Sequence, residues 1–248
     1  MSKQEMRTES DSMGEVNIPE WAYWGAQTQR AVQNFAVSPL RIPTSMIHAL
    51  AIIKKHAARV NARLGLVEEN LSGAIVQAAE EIQRGEWDEH FPIDVFQTGS
   101  GTSWNMNVNE LIANRANEIL GEPRGTRKPV HPNDHVNRGQ SSNDVIPTAV
   151  HIANRVELEP LFAALRHLVS TIRKKEEAFS KLVKLGRTHL QDAVPMTLGQ
   201  EFSGFRVQVE KAITRIEHTR EHLEELALGG TALGTGLNAH PDFGDEVA

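Results

Sequence analysis

Three polar segments of the chain, each rich in hydroxyl and amide side chains, run directly into predicted helices. They are TGSGTSWNMN at 98–107, HPNDHVNRGQSSND at 131–144 and GRTHLQDAVPMTLGQEF at 186–202. The N-terminus of a helix presents unpaired backbone N–H groups and a partial positive charge, so it favours a bound anion. The three segments therefore predict a site for a small carboxylate, and a dianion suits such a site best.

The first segment places small residues directly before its helix. Gly99, Ser100 and Gly101 allow the backbone to approach a ligand closely. Thr102 or Ser103 suits the cap position of the helix. The hydroxyls of Ser100 and Thr102 would then face a bound carboxylate beside free N–H groups. A plain helix cap after a glycine turn is the alternative, and it needs no ligand.

The second segment ends in Ser141, Ser142 and Asn143, which offer two hydroxyls and an amide ahead of a predicted helix with Pro147 in its first turn. These groups can hold a carboxylate while it gains negative charge. An ordinary cap, followed by Asp144 as a partner for the helix dipole, is the alternative interpretation.

The third segment places Thr188 and His189 in a predicted loop before Pro195, which is expected to open a long helix. Histidine is the side chain whose unperturbed pKa lies nearest neutrality, so His189 is a candidate for proton transfer. A solvated loop histidine is the alternative.

A fourth string, GGTALGTGLN at 229–238, has the glycine content of a phosphate-binding loop. It lacks the lysine of such loops and follows a predicted helix rather than a strand, so nucleotide binding is rejected. A glycine-rich break between two helices explains it.

Composition narrows the class of protein. Apolar residues make up 40% of the 248 residues and charged residues 23%, which is typical of soluble globular proteins. The net charge of −6 argues against a nucleic-acid partner. There is no cysteine, no apolar N-terminal leader and no stretch long enough to span a bilayer. We expect a cytoplasmic protein without membrane partners.

The elements that must position these segments are helical. Aromatic residues are scarce, and Ala, Leu, Glu, Arg and Gln dominate, which predicts an all-α fold. Pro160 is expected to bend its helix or split it in two. The predicted helices span 45–64, 68–84, 103–120, 144 to about 180, and 195 to about 227.

A linker rich in glycine, proline and charge at 121–134 separates the shorter helices from the longer ones. We therefore predict an N-terminal domain at 1–137 and an incomplete helical bundle at 138–248. The last residues predict a turn and the first turn of a further helix.

Five strings of the chain resemble the fumarase and aspartase superfamily, and most closely the N-terminal portion of the iron-independent fumarate hydratases. The similarity runs from about Ile18 to the last residue. The strings are EWAYWGAQTQRAVQNF, GSGTSWNMNVNE, HPNDHVNRGQSSND, GRTHLQDAVPMTLGQEFSGF and GGTALGTGLN.

The resemblance implies roles for individual residues. His189 would take part in proton transfer by holding or activating water. A secondary anion site would be formed by the string HPND with one preceding basic residue, that is, by His131, Pro132, Asn133 and Asp134 with Arg127 or Lys128. The substrate would be bound by Ser100, Gly101, Thr102, Ser141, Ser142, Asn143 and Thr188. Trp104 departs from relatives, which usually carry a small residue at that place.

The resemblance also implies an activity and an assembly. The expected reaction is the reversible hydration of fumarate to L-malate, with no cofactor and no metal. Relatives form homotetramers in which three subunits contribute to each active site. They also carry a loop GSSxMPxKxNP, which these 248 residues do not contain. We expect this polypeptide alone to be inactive or nearly so, and to be either a truncated half of such an enzyme or a fragment that needs a complementary C-terminal chain.

Two other functions stay open at this point. Aspartate ammonia-lyases share the fold, but they typically read SQSTND and GRTQLQD where this chain reads GQSSND and GRTHLQD. Ser142 and His189 therefore favour the hydratase. The third possibility is a non-catalytic helical interaction module, which predicts no binding of dicarboxylates.

Overall fold

The computed structural model describes residues 5–248 and contains two compact units. Of the described residues, the first unit contains 5–153 together with Leu226–Ala248, and the second is Asn154–Glu225. Residue 138 lies inside the first unit. The division into domains at 1–137 and 138–248 stays a prediction.

Three helices form the core of the first unit, and each begins and ends within one or two residues of its prediction. They are α2 (Thr44–Arg63), α3 (Glu69–Gln83) and α4 (Thr102–Ile119). Helix α3 packs against both α2 and α4. Apolar residues recur every three or four positions on each helix, so each presents an apolar face to the others. Fully buried side chains include Leu50, Ile75, Ile82, Leu111 and Ile112.

Helix α4 is buried on nearly every side and carries five buried asparagines. Asn117 donates from Nδ2 to the carbonyl of Val130 at 3.0 Å and accepts the Val130 N–H at 2.7 Å. Asn114 likewise donates to the carbonyl of Tyr23 and accepts the N–H of Gly125, both at 2.9 Å. These amides satisfy backbone groups that would otherwise be buried without partners. They also fix the chain just before His131.

A hairpin and a short helix precede this core. Strands β1 (Met6–Asp11) and β2 (Gly14–Pro19) pair antiparallel, and α1 (Ala26–Asn34) follows. The carboxylate of Glu110 on α4 accepts the N–H groups of Gly25, Gln27 and Thr28 at 2.9–3.0 Å. It therefore supplies the acceptors that the first turn of α1 needs.

Helix α5 (Ser142–Ala178) starts in the first unit and continues into the second. It runs unbroken through Pro160, so the alternative that Pro160 splits the helix in two is wrong, and the expected bend stays a prediction. One missing N–H removes a single backbone hydrogen bond, and a helix of 37 residues retains its other hydrogen bonds.

In the second unit α5 packs against α6 (Leu198–Glu217). The rings of Phe179 and Phe202 lie 5.5 Å apart, and Arg206 forms an ion pair with Glu176 at 2.6 Å. The side chain of Thr197 accepts the Gln200 N–H, and Gln200 returns a bond to the Thr197 N–H. Helix α6 therefore begins at Leu198 rather than at Pro195, and it ends near 217 rather than near 227.

The third polar segment is a strand pair rather than the predicted loop. Strands β3 (Val183–Thr188) and β4 (Gln191–Thr197) form an antiparallel hairpin with a bulge at Gly186. Pro195 lies inside β4, where a residue without an N–H is tolerated because the strand has a free edge. Within residues 5–248, the all-α prediction is confirmed as the dominant class, with two two-stranded hairpins added.

The chain ends in α7 (Phe243–Val247), the short further helix that the sequence predicts. Phe243 is fully buried in the core of the first unit. None of the helices in the described part of the chain is both long and apolar enough to cross a membrane.

Candidate substrate-binding site

The first polar segment lies at the start of α4. Gly101 is the cap residue, in a left-handed conformation with φ of 70°, and the helix begins at Thr102. The expectation that Thr102 or Ser103 caps this helix is wrong. The Ser103 N–H instead donates to Oε1 of Gln97 at 3.1 Å. The hydroxyls of Ser100 and Thr102 are exposed and share a hydrogen bond of 3.0 Å, so one O–H of the pair is free to donate to an anion at this helix end.

The second polar segment meets the first within the same unit. Nδ2 of Asn105, on α4, donates to the hydroxyl oxygen of Ser142, the first residue of α5, at 3.1 Å. Ile146, one turn further along α5, lies against Gly101. The N-termini of α4 and α5 are therefore neighbours, and the two predicted groups of substrate-binding residues lie side by side.

Asn143 is exposed at this end of α5, with part of its hydrogen-bonding capacity already used. Its N–H donates to the Ser141 hydroxyl at 3.3 Å, and its Nδ2 donates to the carbonyl of Ala232 at 2.9 Å. The amide of Asn143 has one further N–H and a carbonyl oxygen available for a ligand.

Asp144 ties the glycine-rich string to this site. The side chain is 1% exposed. Its Oδ1 accepts the Ser141 N–H at 2.9 Å, and its Oδ2 accepts the N–H groups of Gly229 at 3.2 Å and Thr231 at 2.8 Å. A buried carboxylate that accepts three N–H groups is well compensated. The turn at 229–232 is thereby held against the Ser141–Asn143 segment.

Lys54 is the residue that the sequence interpretation missed. It is fully buried on α2, and Nζ donates to Oδ1 of Asn137 at 2.8 Å and to Oε1 of Gln140 at 2.9 Å. Burial lowers the pKa of Lys54 to about 7, although the charge of Asp144 acts in the opposite direction. The available signal was its position, since Lys54 lies on the apolar face of α2 with Leu50 and Ala58.

The predicted secondary anion site is a π-helical turn, Pro132–Val136. Nδ1 of His131 accepts the N–H groups of Asn133 at 3.3 Å and Asp134 at 3.2 Å. The 3.2 Å approach of Asp134 to the same nitrogen is therefore not an ion pair, because a nitrogen that accepts two N–H groups carries no proton. An anion at this turn would compete with the His131 ring for those donors.

The two basic residues before this turn differ in their surroundings. Arg127 has a left-handed φ of 54° and is close enough to Asp11 to contribute to the lowering of the pKa of that carboxyl, after the larger effect of Arg30. Lys128 is exposed. Lys128 is therefore the freer of the two to bind an anion.

Thr188 and His189 belong to the second unit and lie at the tip of the β3–β4 hairpin. His189 and Leu190 form a two-residue turn in which both have positive φ, 52° and 60°, the geometry of a type I′ turn. Both are exposed, and Leu190 is 95% exposed. Non-glycine residues in this conformation are strained, and such strain is concentrated at functional sites.

Cavity geometry alone does not locate this site. A cavity of about 710 Å³ lies along α2 and α3, with His56, Arg59 and Glu69 in its lining, and none of the predicted site residues lines it. In residues 5–248 no cluster of three or more His, Asp or Glu side chains is arranged to hold a metal ion.

Comparison with known proteins assigns this arrangement to a class. Residues 14–248 match the family described as Lyase, and the chain belongs to that lyase family. It is similar to the class II fumarate hydratase of Halobacterium salinarum, with 57% identity over 246 residues, which cover 99% of this chain and 52% of the relative. It is 56% identical to the class II fumarate hydratase of Nitrosomonas europaea, covering 98% of this chain and 53% of the relative.

Solved structures give the same result. The class II fumarase from Schistosoma mansoni matches with a TM-score of 0.93 and 44% identity, over 98% of this chain and 51% of that one. A fumarate lyase:delta crystallin from Brucella melitensis, bound to cobalt, matches with a TM-score of 0.94 and 45% identity, over 98% of this chain and 53% of that one. The resemblance found in the sequence is confirmed, and the chain spans about half the length of the relatives it matches.

Proposed function

We propose that the chain forms part of a fumarate hydratase, which interconverts fumarate and L-malate. One observation carries the proposal: the N-termini of α4 and α5 lie side by side, joined by the contact of Gly101 with Ile146 and the bond from Asn105 to Ser142. The chain that builds this arrangement is more than half identical to class II fumarate hydratases.

The reaction requires stabilisation of a carboxylate that gains charge. Removal of a proton from the carbon beside one carboxylate of malate places additional negative charge on that carboxylate before hydroxide leaves. Donors already aimed at the developing charge need no reorganisation at that moment. The hydroxyl pair of Ser100 and Thr102 and the amide of Asn143, at two helix N-termini, supply donors of this kind. Each donor is worth about 3 kcal/mol of transition-state stabilisation.

The remaining roles follow the family pattern. Gly101, Ser141, Ser142 and Thr188 complete the substrate contacts, and His189 holds or activates the water that adds to fumarate. The turn His131–Asp134, with Lys128, forms the secondary anion site.

Oligomerisation is part of the proposal. In the second unit, Leu158 and Phe162 are buried, while Val183 and Val194 of the hairpin are each 72% exposed. Apolar surface of this kind favours association. A homotetramer would cover it and would supply each site with residues from different subunits, so the separation of Thr102 and His189 into two units of one chain is compatible with a shared site. A cytoplasmic location remains the expectation.

The activity test combines this chain with the rest of a relative. The resemblance implies active-site residues in a GSSxMPxKxNP loop, which the 248 residues do not contain. The chain is therefore co-expressed with the part of the Nitrosomonas europaea relative outside the matched region, and loss of fumarate absorbance is followed. We expect hydration by the mixture and little or none by the chain alone.

Variants identify the residues responsible. Thr102→Val and Asn143→Ala should each lower turnover on the order of a hundredfold. Asn34→Ala, at an exposed position at the end of α1 with no proposed role, should change it by less than about threefold. Addition of ammonia rather than water to fumarate would support the aspartate ammonia-lyase alternative. Absence of both turnover and dicarboxylate binding by the mixture would overturn the proposal in favour of an interaction module.

A further inference from the structure

Burial of the Lys54 amine in the interior of the first unit is energetically unfavourable. The Lys54 side chain is fully buried, and among residues 5–248 no carboxylate forms an ion pair with it. Within that described part of the chain, Nζ has two hydrogen-bond partners, the side-chain oxygens of Asn137 and Gln140. Methionine would fill nearly the same space without the cost of removing an amine from water. A role for lysine at this position must therefore come from its hydrogen bonds to those two acceptors.

The two acceptors hold the turn that precedes the candidate site. Nδ2 of Asn137 donates to the Gln140 carbonyl at 3.2 Å. Nε2 of Gln140 donates to the carbonyls of Val136 at 3.1 Å and Arg138 at 3.2 Å. Since the Lys54 side chain has donors and no acceptor when charged, both amides must turn their oxygens towards it and their NH₂ groups towards the turn. Lys54 thereby fixes the orientation of both amides.

The same group is linked to the residues proposed to bind substrate. Nδ2 of Asn105 donates to Oδ1 of Asn137 at 3.3 Å and to the hydroxyl of Ser142 at 3.1 Å. Gln140 directly precedes Ser141 in the chain. Displacement of Asn137 or Gln140 would therefore move the start of α5.

We infer that Lys54 is a positioning residue for the candidate site, since its Nζ orients Asn137 and Gln140 and so fixes the Ser141–Asn143 segment at the N-terminus of α5. Lys54 acts through these amides and does not touch substrate. The consequence for catalysis rests on the proposed function, whereas the positioning itself is a property of the folded chain.

Hydrogen exchange of the 248-residue chain tests the positioning without any activity. In Lys54→Met, backbone amides in the 136–143 region should exchange about tenfold faster or more, because two oxygens lose their donor. Amides of α3 should keep their wild-type rates. Lys55→Met is the matched control, since Lys55 is the next residue in the chain and its side chain contacts Gln83 and Glu80 instead. Unchanged exchange at 136–143 would overturn the inference.

A second variant distinguishes local loosening of the 136–143 region from global unfolding. Lys54→Gln keeps one pair of donors in a smaller side chain and should give intermediate exchange at 136–143. If Lys54→Met does not fold, faster exchange confined to 136–143 in Lys54→Gln supports the positioning role. Faster exchange spread evenly over α2, α3 and α4 contradicts it.

The kinetic readout separates this inference from the proposed function. In the complemented enzyme, Lys54→Met should lower kcat/KM for fumarate about tenfold or more, with Lys55→Met within about twofold of wild type. A mixture without hydratase activity, in which Lys54→Met still loosens 136–143, refutes the function and leaves the positioning intact. An active enzyme that is indifferent to Lys54→Met in both measurements refutes the positioning alone.

Discussion

Gly101, at the start of α4, lies so close to Ile146 of α5 that a β-carbon on the glycine would be 2.8 Å from Cγ1 of the isoleucine. Gly101 also has a φ of 70°, which side chains rarely adopt. Two independent constraints therefore require glycine at this position. The close approach brings the Ser100–Thr102 and Ser141–Asn143 segments together.

Gly101→Ala should lower the free energy of unfolding by about 2 kcal/mol or more, because it adds backbone strain to a clash with Ile146. Gly99→Ala is the matched control, since a β-carbon there meets nothing within 4 Å and its φ is not positive. Chemical denaturation of both variants measures the difference. Adding Ile146→Ala should relieve the clash but leave the strain. Equal stability of Gly101→Ala and Gly99→Ala would contradict the conclusion that position 101 requires glycine.

Asp144→Asn should destabilise the first unit by about 2 kcal/mol. The carboxylate accepts N–H groups from Ser141, Gly229 and Thr231, and an amide NH₂ would face at least one of these donors without accepting from it. Asp134→Asn is the control, because that side chain is 73% exposed. Urea denaturation measures the free energy of unfolding of both variants. A loss below about 0.5 kcal/mol for Asp144→Asn would show that the carboxylate does not hold the 229–232 turn.

The sequence is sufficient to predict α2, α3 and α4 because their apolar residues follow the helical period over many turns. It does not predict α1, which has only nine residues. It failed at the β3–β4 hairpin for a specific reason. The turn residues are His189 and Leu190 rather than the Asn-Gly or Asp-Gly that usually mark a type I′ turn. Pro195 also resembles a helix start, although it lies inside β4.

In the candidate site, local sequence patterns predict some features, whereas contacts between residues far apart in the chain are not predictable. The segments before α4 and α5 were recognisable because small and hydroxyl residues precede each helix. Lys54 was not, because its partners Asn137 and Gln140 lie 83 and 86 positions away in the chain. The bond from Thr231 to Asp144, separated by 87 positions, is equally invisible in local patterns.

The turn at His189 and Leu190 should be stabilised by glycine at its second position. Leu190→Gly removes the strain of a positive φ and should raise the local stability of the hairpin by about 1 kcal/mol. Leu190→Ala removes the same exposed side chain but keeps the strain, so it is the control. Hydrogen exchange across the Thr188–Gln191 pair measures the change. Equal protection in both variants would mean that the turn is not strained.

Stability should depend on pH through Lys54. Its pKa is about 7 in the folded chain and about 10.4 when unfolded, so between these values the unfolded state binds more protons. We therefore compare the free energy of unfolding of wild type with that of Lys54→Met. The difference, wild type minus variant, should rise by up to about 1.4 kcal/mol per pH unit above about pH 7. This gain should disappear as the pH falls through about 7. Urea denaturation of both chains at several pH values measures this difference, in which the other titrating groups cancel. Lys55→Met should follow wild type, and a flat difference for Lys54→Met would show that Lys54 stays charged in the folded chain.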